Sequence, residues 1–372
     1  MFFHLVADVA GENGFFYRNF FFRNNHNYLL HLLHLLLKGF SPSNKPVSEK
    51  HGSGASACFR AFSYYLCEAP QGLIEILDVL CAEVVLHSLA FEKMHRVLDA
   101  VWRECDRVLV DNGFVCINIG DATRTFDGNF QLFSNHSRII QSFLNMGYCV
   151  LPDILWHKPS NSPNKFMGSG MYPAGAYVTY EHEYILVFRK GGKREFKGVG
   201  RELRQKSAYF WEERNVWFSD IWEIRGTNQT VNGNASSRKR NASFPLEIPY
   251  RLVNMYSVEG DTVLDPFAGM GTTNMACMAS NRNSIGVELE REFAQLAIDA
   301  ISVSPDVLNQ IVDSRISNHI AFVDSLPDDK RQKCYDNTAH GFKVKTRQET
   351  AIKIEHVKSV SMIDDKIECQ YT

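Results

Sequence analysis

From Glu92 onward the chain alternates two kinds of apolar pattern. Met94, Val97, Leu98, Val101, Cys105, Val108 and Leu109 recur every three or four residues, which predicts one apolar face of a helix. "DNG" at 111–113 predicts its end, with Gly113 in the left-handed conformation. "FVCINIG" (114–120) reads as a buried strand. A helix is expected over 136–146, stopped by Gly147, then the strand "YCVLPDILWH", then a strand or hairpin in "AYVTYEHEYILVFRK" (176–190). Order resumes with "FPLEIPYRLVNMYS" (244–257), a strand at 261–265, a helix from Thr272, the strand "NSIGVELE" (283–290) and a helix at 291–302. Helix and strand alternating at this spacing predict an α/β protein with a mostly parallel sheet.

Three stretches break the pattern. Residues 1–90 have poor periodicity, and eight of the 26 phenylalanines fall in the first 40 positions. Within them, "SPSNKPVSEKHGSGAS" (41–56) reads as linker, and "YLLHLLHLLL" (28–37) is too short to span a bilayer. The run 189–206 carries eight Lys and Arg against Glu195 and Glu202. "RGTNQTVNGNASSRKR" (225–240) is polar and rich in Asn, Ser and Gly. A solvated surface loop is the plain reading of both polar runs.

Composition narrows the classes. A chain of 372 residues, 45% hydrophobic, can form one large α/β domain with appendages, or two ordinary domains. The net charge of -2 excludes a protein that is basic throughout, so any nucleic-acid contact must come from a local patch. Nine scattered cysteines form no C-x-x-C pair, so neither a metal site nor a disulfide framework is expected. Reduced thiols and a start without a signal-peptide pattern predict an intracellular protein.

The chemistry centres on "VLDPFAGMGTT" (263–273), a buried strand, an acidic residue and a glycine turn feeding a helix. A P-loop needs a Lys after its last Gly, and none follows Gly271. A dinucleotide turn needs a third Gly where Asn274 stands. Gly269 and Gly271 allow a close backbone approach to a ligand. Asp265 places a carboxylate at the strand end, which suits an ammonium group and suits a triphosphate poorly. Glu288, 23 residues on, ends the next strand and can accept from ribose hydroxyls. S-adenosylmethionine meets both demands. The competing reading is a structural turn with Glu288 in solvent, and the spacing of the two carboxylates weakens it.

Residues 242–289 resemble the cofactor half of the DNA amino-methyltransferases, with an F-P-x-E-[LI]-P helix, a D-P-F-x-G-x-G-T-T loop and a G-[IV]-E strand in order. "VWRECDRVLVDNGFVCINIGD", "LPDILWHKPSNSPNKF" and "EHEYILVFRKGGK" are also similar to that family. The resemblance covers about 92–303 and is strongest to cytosine-N4 methylases whose catalytic half precedes the cofactor half. It implies an S-adenosylmethionine-dependent methyltransferase sheet, mostly parallel with one antiparallel strand and flanked by helices. It implies S-adenosyl-L-methionine as cofactor, held by Phe244, Pro245, Glu247, Asp265, Phe267, Gly269, Gly271, Thr272 and Glu288. The implied partner is double-stranded DNA, with no membrane and no metal, in a restriction-modification setting.

The family's catalytic loop is Ser-Pro-Pro-Tyr or Asp-Pro-Pro-Tyr, followed by a segment like "LIEILD" (73–78). The aligned residues here are Glu68, Ala69, Pro70 and Gln71, so Glu68 and Pro70 are the catalytic candidates. Only Pro70 is retained, and no ring replaces the lost platform for a flipped base. Methylation of an exocyclic amine in DNA is the expected function, with cytosine N4 ahead of adenine N6. A homologue that binds DNA and cofactor without transfer is the alternative. The expected organisation is an irregular segment over 1–90, a methyltransferase domain over 91–303 with a target-recognition insertion at 189–243, and an extension over 304–372.

Overall fold

The computed structural model describes residues 2–5, 82–126, 129–158, 167–168, 171–226, 244–302, 305–363 and 366–372. Strand β1 (Phe2–Leu5) is followed by helix α1 (Ala82–Val108). The apolar face of α1 is not quite the predicted one. His95, Val101, Trp102, Cys105 and Val108 are buried, while Met94 and Val97 are exposed. The two outliers stand one position off the stripe, about 100° around the helix. The helix also starts upstream of Glu92. Its stop differs in one residue: Asn112, at φ 69°, takes the left-handed conformation in place of Gly113. Asn tolerates that region, and the Asn112 amide donates to the Lys190 carbonyl while the Gly113 carbonyl accepts the Lys190 amide.

Strand β2 (Phe114–Ile119) runs through the sheet centre and is followed by the hairpin β3 (Ala122–Phe126) and β4 (Asn129–Phe133), which the pattern did not suggest. Helix α2 (Asn135–Asn145) stops as expected at Gly147, φ 84°. Strand β5 (Cys149–His157) carries a register shift between Leu151 and Ile154, around Pro152, which cannot donate to a ladder. The segment 176–190, expected as a strand or hairpin, divides. Strand β6 (Met167–Gly168) pairs with β7 (Ala176–Tyr177), and β8 (His182–Arg189) joins the main sheet. Helices α3 (Val199–Lys206) and α4 (Trp211–Trp217) lead to strand β9 (Ile221–Glu223). Helix α5 (Glu247–Tyr256), β10 (Thr262–Asp265), α6 (Thr272–Met278), β11 (Asn283–Gly286) and α7 (Arg291–Ile301) follow the expected order. Helix α8 (Pro305–Asp324), the short pair β12 (Tyr335–Asp336) and β13 (Lys343–Val344), and the hairpin β14 (Val357–Ile363) and β15 (Lys366–Tyr371) complete the chain.

The seven-stranded sheet has the order β11-β10-β1-β2-β8-β5-β9. Five strands point one way, and β1 and β8 oppose them. The second reversed strand, β1, lies between β10 and β2 at positions paired to Val263 and Cys116. Strand side chains alternate between faces. Val115, Ile117, Leu186, Phe188 and Leu264 pack under α1 and α2. Cys116, Ile185, Val187 and Val263 face α5, α6 and α7 on the other side. Leu308 and Val312 of α8 and Ile367 of β15 are buried in that second core, so 305–372 packs on the sheet domain.

Candidate cofactor site

The five co-directional strands bring their C-terminal ends to one edge of the sheet, where open α/β sheets bind ligands. Strand β10 ends at Asp265, which is 2% exposed. Its carboxylate accepts the Phe267 amide at 3.0 Å and the Thr273 hydroxyl at 2.6 Å. Asp265 therefore braces the turn from inside. Next door, the amide of Ala268 donates to the Val287 carbonyl, and the Val287 amide to the Asp265 carbonyl, both at 2.9 Å. The two strand ends are thus laced together before any side chain is counted.

Glu288 completes the lacing. Its Oε2 accepts the Gly269 amide at 2.8 Å, and its Oε1 accepts the Glu290 amide at 2.9 Å. Gly269 and Gly271 have φ of 53° and 73°, where a side chain is strained. They serve different ends. A Cβ on Gly269 would meet nothing closer than the Phe267 carbonyl at 4.0 Å, so the space above it is open. A Cβ on Gly271 would lie 2.7 Å from Ile301 Cδ1, so that glycine lets α7 pack on the turn. Asn274, at the third-glycine position, is 2% exposed and donates to Ser284 at 3.0 Å. It stands where a Cβ on Gly286 would come within 2.9 Å.

The remaining expected residues gather at the same end. Helix α5 runs back toward the start of β10, so Glu247 at its first position and Phe244 and Pro245 just before it lie at the turn's end of the sheet. Phe244 packs on the core, Pro245 is buried, and Glu247 pairs with Arg251, whose guanidinium lies 5.0 Å over the Trp222 ring. Phe267 is 38% exposed and edges onto Trp102 at 6.0 Å. Thr272, half-buried, opens α6. Glu68 and Pro70 lie outside the described residues.

Three residues that sequence reasoning passed over meet at this edge as well. Asn118 near the end of β2 donates to Glu183 Oε2 at 2.7 Å, and Lys158 after β5 pairs with Glu183 Oε1. The Lys158 ammonium also sits 4.2 Å over the Trp156 ring. They come from "INIGD", "LWHK" and "EHEY", three separate segments. Their common signal was a polar residue at the edge of a buried apolar run. Beside them Asp121 accepts both the amide and Nδ1 of His136, at 3.0 and 2.7 Å. His136 stacks on Tyr184 at 3.9 Å. Burial pushes the neighbouring Tyr180 phenol well above its ordinary value.

The described ends of the expected insertion at 189–243 lie at different ends of the sheet. Residues 190–206 follow Arg189, at the far end of the sheet from Asp265. The chain departs again at Glu223 and returns at Phe244, both at the cofactor edge, and 227–243 lie outside the described residues.

The DNA methylase family of the N6/N4 type matches residues 87–299. The chain belongs to that family. It is 46% identical to the Type II methyltransferase M.MthZI of Methanothermobacter thermautotrophicus, over 82% of this chain and 88% of that one. It is 53% identical to the Type II methyltransferase M.MjaI of Methanocaldococcus jannaschii, over 57% and 69%. A DNA modification methylase of Thermus thermophilus, TTHA0409, solved in complex with S-adenosyl-L-methionine, is 35% identical over 57% of this chain and 77% of that one. It superposes only in part, with a TM-score of 0.47. This DNA amino-methyltransferase homologue has no described helix long and apolar enough to cross a membrane.

Proposed function

We propose that the chain binds S-adenosyl-L-methionine at the 265–271 turn and methylates an exocyclic amino group in double-stranded DNA, cytosine N4. The observation that carries this reading is the Glu288–Gly269 contact beside an open, positive-φ glycine. Each Glu288 oxygen holds one backbone amide and keeps a lone pair for a ribose hydroxyl. Asp265 contributes its negative charge from beneath the turn, which favours a cationic ligand above it. Phe267 offers a half-exposed ring, and Phe244, Pro245, Glu247 and Thr272 lie at the same end of the sheet. When bound, the cofactor supplies an electrophilic methyl group. The chain's own task is to hold a flipped base at the same edge and accept its amino protons. Glu183, tied to Asn118 and Lys158, positions that edge. The polar stretch between Glu223 and Phe244, departing from the cofactor edge, supplies sequence specificity.

Calorimetric titration with S-adenosyl-L-methionine, followed by methyl transfer to mixed-sequence DNA, tests the proposal. Saturable binding and labelled DNA are expected, and absence of binding overturns it.

One observation favours a second reading, in which the chain binds but does not transfer. Residues 68–71 read E-A-P-Q and lack the aromatic platform. Under that reading the native chain binds cofactor and leaves DNA unlabelled. Substituting Glu68→Ser, Ala69→Pro and Gln71→Tyr together then confers transfer.

A further inference from the structure

The end of the sheet away from the cofactor turn holds a cleft of about 1070 Å³. It is bounded by Phe114 at the start of β2, Arg189 at the end of β8 and Ser257–Val258 before β10, which fixes its position opposite Asp265 and Glu288. Its other wall is the 346–351 turn. Seven cations line it, six of them being Arg189, Lys193, Arg201, Arg204, Arg214 and Arg347. Among the described residues none of the six pairs with a carboxylate. Arg189 donates only to the Gly191 carbonyl, while Arg204, Arg214 and Arg347 rest on aromatic faces. Arg194 also lines the cleft, but its charge is met by Asp261 at 2.6 and 3.0 Å. Among the described residues, the single carboxylate in the lining, Glu349, has its oxygens taken by the Trp211 and Thr346 amides at 2.8 and 2.6 Å.

A chain with net charge -2 that gathers six unmatched cations into one concavity creates a focused positive field. A small carboxylate or single phosphate would engage one or two of them. A phosphodiester strand engages all. The aromatic side chains add a second requirement. Trp211 backs onto Phe322 at 5.6 Å yet is 42% exposed, and Tyr256 lies half-buried against Phe114 at 4.9 Å. Cations interleaved with rings in a concave groove are the arrangement that takes an unpaired nucleic-acid strand, phosphates on the charges and bases on the rings.

We propose that this cleft is a second nucleic-acid site, specific for a single strand and separate from the methyl-transfer edge. The test uses the full chain and a fluorescent oligothymidylate of about 12 nucleotides. Thymine carries no exocyclic amino group, so this probe is not a substrate for amino methylation. Anisotropy titrations across salt concentrations are expected to give saturable binding with a log–log slope of about -0.7 per phosphate contact. Arg201→Glu with Arg204→Glu should weaken binding at least tenfold and flatten the slope by about 1.4, two contacts' worth. Trp211→Ala should weaken it roughly tenfold through lost stacking. Cofactor affinity, measured on the same variants, stays at the native value and shows that they fold. Native affinity in both variants overturns the proposal. So does a cleft that Trp211→Ala leaves unchanged and inorganic tripolyphosphate fully blocks, which would make it a polyphosphate site. Neither result touches the methyl-transfer reading, since the probe carries no methyl acceptor.

Discussion

Glu288 accepts the Gly269 amide at 2.8 Å, so a carboxylate just past β11 fixes the glycine turn that follows β10. The contact makes one side chain responsible for both the shape of the turn and the hydroxyl-binding edge above it. Glu288→Ala should weaken S-adenosyl-L-methionine binding by about 1–3 kcal/mol, the range for a lost charge-assisted contact. Glu288→Gln keeps one acceptor for the amide and should lose less. Calorimetry on the two variants checks the order, and equal losses would separate the turn from the carboxylate charge.

Gly271 should tolerate no side chain. Its φ of 73° strains any L residue, and a Cβ would sit 2.7 Å from Ile301 Cδ1. Gly271→Ala should cost about 1–3 kcal/mol from overpacking, read as a fall in the urea midpoint. Ile301→Val in the same chain should restore part of it, because δ-carbon removal relieves the closest contact. Loss with no rescue would place the cost in the backbone alone.

The Asn118–Glu183–Lys158 cluster makes a kinetic prediction. Glu183→Gln should lower methyl transfer with cofactor affinity unchanged, because it disturbs the edge facing DNA. Removing either partner of the Lys158–Glu183 pair leaves the other without its match, so Glu183→Gln and Lys158→Gln together should cost less than the sum of the two. Additive losses would mean that the two residues act apart.

His95 offers a pH signature. It is 1% exposed, bonds Asn135 Oδ1 at 3.0 Å, and burial pushes its pKa below the ordinary value. A depressed base means that the unfolded chain takes up the proton first. Stability from this residue is complete above about pH 6.5 and declines as pH falls toward the folded value. His95→Gln should flatten that part of the unfolding curve. An unchanged pH profile would assign the acid sensitivity to other groups, such as Asp99. That carboxyl is held low by Arg138 and Ser142 against the opposing effect of burial.

Most of the sheet was legible because buried strands and helix stripes write their period into the chain. The order from α5 to α7 follows the sequence reading closely, since Gly269, Gly271 and Gly286 punctuate it. The α1 stripe was misplaced at Met94 and Val97 because an exposed apolar residue looks the same in sequence as a buried one. Asn112 took the turn from Gly113 because both residue types can adopt it and the Lys190 carbonyl receives the Asn112 amide at 2.7 Å. The Asn118–Glu183–Lys158 cluster was invisible for another reason: its members are 65 and 25 residues apart and meet only through strand pairing. The basic run at 189–206 and the stretch 225–240 fell within one expected insertion, yet the first follows the end of β8 at one end of the sheet and the second follows the end of β9 at the other. The catalytic candidates Glu68 and Pro70 rest on the sequence alone.

The most direct measurement of the central claim is transfer of labelled methyl from S-adenosyl-L-methionine to mixed-sequence duplex DNA, followed by digestion and separation of the nucleosides. The account predicts label in N4-methylcytosine, abolished or strongly reduced in Glu288→Ala. Label in N6-methyladenine would contradict the assignment of the base, and DNA that stays unlabelled while the cofactor binds would contradict the assignment of the chain as an active methyltransferase.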